Sequence, residues 1–200
     1  MHYAISYQTE LNEFLVCTSR KKSLKHQLIC VREGLVLVKL GKQEHAIEPG
    51  QHFWLPFDTL TSLTMTPNSR VSRVELSSRV AHALPQQAGF VSLNELTHAL
   101  LNRLESYHAD REKHIDLLAV LRQELTELTP KLTSSKLAQR ISQWRPDTES
   151  DLPAELQLAL RVREANKLMQ SGKKRPFVVE TLFEGNDTLF ASLEKAVLGR

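Results

Sequence analysis

The hydrophobic pattern of this chain changes period once, at Gln86-Gln87-Ala88-Gly89, and that change limits the fold more than any other feature. Before it, the apolar runs Phe14-Leu15-Val16, Leu28-Ile29-Cys30-Val31 and Leu35-Val36-Leu37-Val38 are divided by Gly34, Gly41, Pro49-Gly50 and Pro67-Asn68. Short β-branched runs between turn residues read as strands, and several at close spacing predict a sandwich or barrel. The run from Leu35 to Leu40 is nearly continuous, as in a strand covered on both faces, whereas Gln43 to Ile47 alternates.

After the change the spacing is helical. Ser92 followed by Glu95 reads as a capping box, and Leu93, Leu96, Leu100 and Leu104 fall on one face. A second helix after Asp110 carries Ile115, Leu118, Leu121, Leu125 and Leu128 and stops at Pro130. Tyr107-His108-Ala109-Asp110 joins the two as a hairpin. A leucine stripe of this kind is buried either inside the chain or against a second copy. Further helices are expected over Ser134–Trp144, Leu156–Ser171, Pro176–Phe183 and Asp187–Val197, with a loop from Arg145 to Pro153. The fold class expected is α+β, β-rich first and then all helical.

With 41% hydrophobic and 24% charged residues over 200 positions, the chain has material for a core, which excludes global disorder. Cys17 and Cys30 make neither a disulfide framework nor the repeated short spacing of a zinc site, and they read as reduced thiols. Neither a signal-peptide pattern nor an apolar stretch of spanning length occurs, so a cytoplasmic protein without a membrane partner is expected. From Pro130 onward twelve Lys and Arg stand against nine Asp and Glu, a difference equal to the net +3 of the whole chain. Residues 1–129 therefore balance, and the surplus lies in the helical part, densest at Lys173-Lys174-Arg175.

The series His26-Gln27-Leu28, Gly34, Gly41, Ile47-Glu48-Pro49-Gly50-Gln51 and Trp54-Leu55-Pro56 resembles the N-terminal cupin domain of the AraC/XylS bacterial transcription regulators. Leu160-Arg161-Val162-Arg163-Glu164-Ala165-Asn166-Lys167-Leu168-Met169 with Gly172 resembles the long helix joining that family's two helix-turn-helix units. Val178 to Phe183 and Asp187 to Lys195 resemble the first and the recognition helix of the second unit. The resemblance implies a cupin-like β-barrel (double-stranded β-helix) over 1–85, a helical linker or dimerisation hairpin over 90–129, and a helix-turn-helix-like domain over 130–200. Leu132 to Ile141 resembles the first helix of the first unit, but too few residues precede Leu152-Pro153-Ala154 for its turn and recognition helix, so that unit is expected to be truncated.

By the resemblance, the function expected is transcription regulation, with Lys173, Lys174, Arg175, Thr188, Ser192 and Lys195 facing promoter DNA. Lys173-Lys174-Arg175 reads equally as a solvated loop. Asp187 and Glu194 on the recognition helix would repel phosphate, and Thr188 and Ser192 are weak base readers. Loss of sequence reading leaves a second expectation, a regulator acting through protein contacts as a homodimer or heteromer of the linker helices. An effector pocket, if the barrel is not filled by its own side chains, would be lined by His26, Trp54 and Thr61. A cupin metal site needs paired histidines, a carboxylate and a later histidine. His26 is followed by Gln27 and Leu28, Thr61 stands at the later position, and His45 and His52 read as structural or surface residues. No metal, cofactor or catalytic residue set is expected, and the chain does not read as an enzyme.

Overall fold

The structure, a computed structural model, describes residues 4–79, 83–106 and 111–200. It is α+β, with two antiparallel sheets followed by six α-helices. The strands are β1 (Ile5–Asn12), β2 (Val16–Cys17), β3 (Lys21–Lys22), β4 (Lys25–Glu33), β5 (Val36–Leu40), β6 (Gln43–Ile47), β7 (His52–Leu55), β8 (Leu60–Met65), β9 (Ser69–Ser77) and β10 (Gly89–Val91). One sheet runs β1-β9-β4-β7-β10; the other runs β2-β8-β5-β6, with β3 also pairing β8. Among the described residues no strand pairing joins the two sheets into a closed barrel.

Alternation along the strands builds two cores from one sheet. Ile29, Val31, Phe53 and Val71 point toward Val36, Val38, Ile47, Leu63 and Met65 of the facing sheet and fill the space between the sheets. Leu28, Cys30, Trp54, Val74 and Leu76 point the other way and lie under helices. The continuous run in β5 has the expected cause. Val36 and Val38 face the opposite sheet, while Leu35 and Leu37 pack under Ala138, Ile141, Leu152 and Leu160.

Two expectations about the strands change. Phe14 and Leu15 lie outside any strand: Leu15 donates its backbone N–H to Val197 at 2.7 Å, and Phe14 lies against Gly199. The sheet also continues past residue 85, because β10 pairs β7 in the register Gly89 to Trp54. Phe90 and Lys131 exchange two backbone hydrogen bonds of 2.9 Å across the other edge of β10. Gly89 permits that approach, since a Cβ there would lie 2.6 Å from the Lys131 carbonyl carbon.

The helices are α1 (Glu95–Ser106), α2 (Arg111–Glu124), which ends in a 3₁₀ turn over Leu125–Glu127, α3 (Lys136–Gln143), α4 (Ala154–Gln170), α5 (Arg175–Phe183) and α6 (Asp187–Leu198). The cap of α1 is Asn94, not Ser92: its Oδ1 accepts from the Thr97 N–H and hydroxyl, both at 2.8 Å. The buried face of α1 is Thr97, Leu100, Leu101 and Leu104, and Leu96 is exposed. On α2 and its 3₁₀ turn, Leu121 and Leu125 are fully buried against the sheet while Ile115 is exposed. Leu100, Leu104, Leu121 and Leu125 are thus buried within the chain and not available to a second copy, whereas Leu96 and Ile115 of the same stripe face outward. The link from Tyr107 to Asp110 lies outside the described residues.

Candidate functional site

The C-terminal helices form a three-helix unit around Ala165, Val178, Val179, Leu182, Phe183 and Phe190, with the Phe183 and Phe190 rings stacked at 4.5 Å. Pro176 at the start of α5 presets φ where no intrahelical N–H partner is needed. α5 ends on Glu184 in the left-handed region, φ 53°, followed by Gly185 at φ 76° and by Asn186, whose side chain accepts from the Leu189 N–H at 2.9 Å and starts α6. Two short helices joined by three such residues have the connectivity of a helix-turn-helix.

The residues expected to face DNA divide into two groups. Thr188, Ser192 and Lys195 follow at helical spacing along α6 and are all exposed. Lys173 and Lys174 are exposed at the N-terminal end of α5, with the Lys173 ammonium 5.2 Å from the Phe177 ring centroid. Arg175 is engaged elsewhere. Its Nε donates to Asp187 at 2.7 Å, its Nη1 donates to Glu194 at 2.5 Å, and its guanidinium lies 4.5 Å from the Phe190 ring centroid. The hydrogen bonds it donates to Glu194 and then to Asp187 raise its pKa. Arg175 therefore clasps α5 to α6, and the two carboxylates expected to repel phosphate are partnered inside the unit. Nothing in the spacing of positions 175, 187, 190 and 194 announces this, because the four meet only when the turn folds α6 back.

α6 is anchored to the β-module. Val197 packs with Leu15, Ala159 and Val162, and the C-terminal turn of α6 meets the Phe14-Leu15 bend. Arg163 of α4 makes a two-pronged pair with Glu44 of β6 at 3.0 and 3.2 Å, both side chains largely buried. Between α3 and α4, residues 144–153 contain no helix. Arg140 of α3 reaches across that connection to the Asp151 carboxylate at 2.8 Å.

The three residues expected to line an effector pocket do not converge. Trp54 is fully buried under the α1–α2 hairpin, donating its indole N–H to the Pro85 carbonyl at 2.9 Å, and His26 stacks on it at 5.7 Å. The His26 Nδ1 accepts from the Phe57 N–H, and burial lowers its pKa. Thr61 sits opposite Leu40 on the inner face of the other sheet and donates to the Lys39 carbonyl at 3.1 Å. The strand periodicity separates them: His26 and Trp54 point to the helical layer, Thr61 to the space between the sheets.

His45 is buried against Phe53 and Phe90, its Nδ1 3.3 Å from the Thr133 carbonyl oxygen. His52 meets His98 of α1 edge to face at 5.1 Å. Burial first, then the positive charges of His98 and Arg32, push the His52 pKa down to about 4. Burial drives the Cys30 thiol up to about 12, and partial desolvation of the Cys17 sulfur, opposed by a hydrogen bond with Thr64, raises that thiol as well. Among the described residues no group of three or more His, Cys, Asp or Glu is placed to hold a metal ion, and no helix is long and apolar enough to cross a membrane.

No protein-family model matches the sequence, and no curated protein matches it. Solved structures similar to the fold include a lysine-to-alanine variant of apo ToxT of Vibrio cholerae, with 11% identity, a TM-score of 0.43, and coverage of 100% of this chain and 95% of that one. ToxT bound to (E)-4-(8-methylnaphthalen-1-yl)but-3-enoic acid aligns over 98% of this chain and 95% of that one, with 11% identity and a TM-score of 0.39. A cupin superfamily protein from Desulfitobacterium hafniense aligns over 37% of this chain and 66% of its own, with 12% identity and a TM-score of 0.32.

Proposed function

We propose that this chain is a transcription regulator of AraC/XylS type, in which a cupin-like β-module carries a C-terminal helix-turn-helix that meets promoter DNA. The observation that carries the reading is the α5-turn-α6 arrangement. It leaves Thr188, Ser192 and Lys195 exposed along α6 and Lys173 and Lys174 exposed at the start of α5. Lysines at that position contact phosphate and set register, and hydroxyls on the second helix face base edges. The sequence resemblance supports the same assignment. Arg175 serves the unit by holding α6 in place and is left out of the DNA contacts.

The test is a titration of labelled DNA from the chain's own upstream region at two salt concentrations. A complex that weakens as salt rises, and weakens less steeply in Lys173→Gln/Lys174→Gln, supports the reading. No salt-sensitive complex on any fragment removes it. A regulator acting by protein contact is the second reading, favoured by the scarcity of base-reading side chains on α6 and by the absence of a helix over 144–153. In that case the chain binds no DNA alone but changes the DNA affinity of another regulator added to it.

A further inference from the structure

A cleft of about 680 Å³ opens between the outer face of the β2-β8-β5-β6 sheet and helices α3 and α4. Its size falls in the range of small-molecule sites. Six cationic side chains line it and two carboxylates, Glu44 and Glu164. The carboxylates are already used: both Glu44 oxygens accept from Arg163 at 3.0 and 3.2 Å, and Glu164 pairs with Lys167 at 3.2 Å. Lys39 lies directly across from Glu44 in the β5–β6 register, yet Arg163 occupies that carboxylate. Among the described residues Arg20, Lys39, Lys42 and Arg145 thus converge on one concave space with no carboxylate within ion-pair distance. Arg145 is held at the rim by its own chain, its Nη1 donating to the Ser142 and Trp144 carbonyls at 3.3 and 2.8 Å. Trp144 forms part of the wall.

This concentration is not a consequence of composition, because residues 1–129, which supply three of the four cations, carry no net charge. Like charges gathered in a cleft with protein walls focus a positive potential and repel one another when nothing is bound. An anion relieves that repulsion and is drawn in by it. We infer that this cleft is a binding site for a small, multiply charged anion, its charge met by Arg20, Lys39, Lys42 and Arg145. Phosphate and carboxylate groups share the required chemistry, charge with several acceptor oxygens. The site lies outside the sandwich interior, away from His26, Trp54 and Thr61. An occupant would touch the β-module and the helices at once and hold them together. The inference does not depend on DNA binding and is tested without it.

The full-length protein is titrated at low salt with pyrophosphate, citrate and ATP, read by tryptophan fluorescence and by melting temperature. At least one of the three is expected to bind saturably, weakening with added salt, and to raise the melting temperature. Trp144→Phe removes the fluorescence change, because Trp54, the other tryptophan, is fully buried under the hairpin. Lys39→Gln/Arg145→Gln weakens binding by about tenfold or more, while Lys136→Gln, outside the cleft, leaves it unchanged. With no ligand, the double variant melts at or above the wild-type temperature, since a repulsion has been removed. The inference fails if none of the three anions binds saturably or if the double variant binds as the wild type does. It fails also if a duplex oligonucleotide alone binds and is lost in the double variant, which would make the cleft a nucleic-acid surface.

Discussion

At the scale of single residues, Glu184 occupies a conformation that costs an L-residue with a Cβ, φ 53°, where helices commonly end on glycine. Glu184→Gly is expected to stabilise the chain by about 0.5–1 kcal/mol, the strain relief exceeding glycine's greater unfolded freedom. A urea midpoint that falls instead would refute the strain argument. His52 makes the second prediction. Its pKa of about 4 in the folded chain lies below the ordinary histidine value, so the unfolded chain binds more protons in between. The stability it contributes is complete above about pH 6.5 and is lost as pH falls toward 4, by about 2 kcal/mol after allowance for partial solvent screening. Urea unfolding from pH 7 to 4.5 should show this slope, flattened in His52→Gln. Asp187 and Glu194 show why residue types alone mislead: read in sequence they oppose phosphate, and in the fold they answer Arg175.

At the scale of elements, periodicity located the helices closely, and what it missed were contacts between elements. Ser92 and Asn94 are both capping residues, and the choice fell to Asn94, whose Oδ1 reaches the Thr97 N–H. Asn94 Nδ2 also donates to Glu124 of α2 at 2.6 Å, a contact only the hairpin supplies. β10 is three residues long and carries no alternation of its own; it exists because β7 and Lys131 flank it. The hairpin is held by burial on the sheet, so Leu121→Ala should cost about 2–5 kcal/mol, while Leu96→Ala, on the exposed side of α1, should change stability by less than about 0.5 kcal/mol. Equal losses, measured by chemical unfolding, would contradict the assignment of the buried face.

At the scale of the whole molecule, the β-module and the C-terminal helices share cores. Leu35, Leu37 and Ala46 pack with residues of α3 and α4, and Leu15 packs with α4 and α6. Arg163 and Glu44 join the same two parts in a largely buried pair. Arg163→Gln leaves Glu44 without its partner and should cost about 1–3 kcal/mol while keeping one transition, seen as coincident fluorescence and circular-dichroism curves. Separate transitions would show the parts to be independent. The sequence by itself determined the order of β-module and helices, the double coverage of β5, the places of α3 to α6 though not their end residues, and the place of the charge surplus. Each of these is written in local spacing, which hydrophobic burial and helical or strand geometry read directly. The tertiary structure alone decided that His26 and Trp54 turn away from Thr61, that Arg175 of α5 pairs with Asp187 and Glu194 of α6, and that Arg20, Lys39, Lys42 and Arg145 share a cleft. Those outcomes depend on which distant residues meet, and strand pairing and helix docking bring together positions that no local spacing relates.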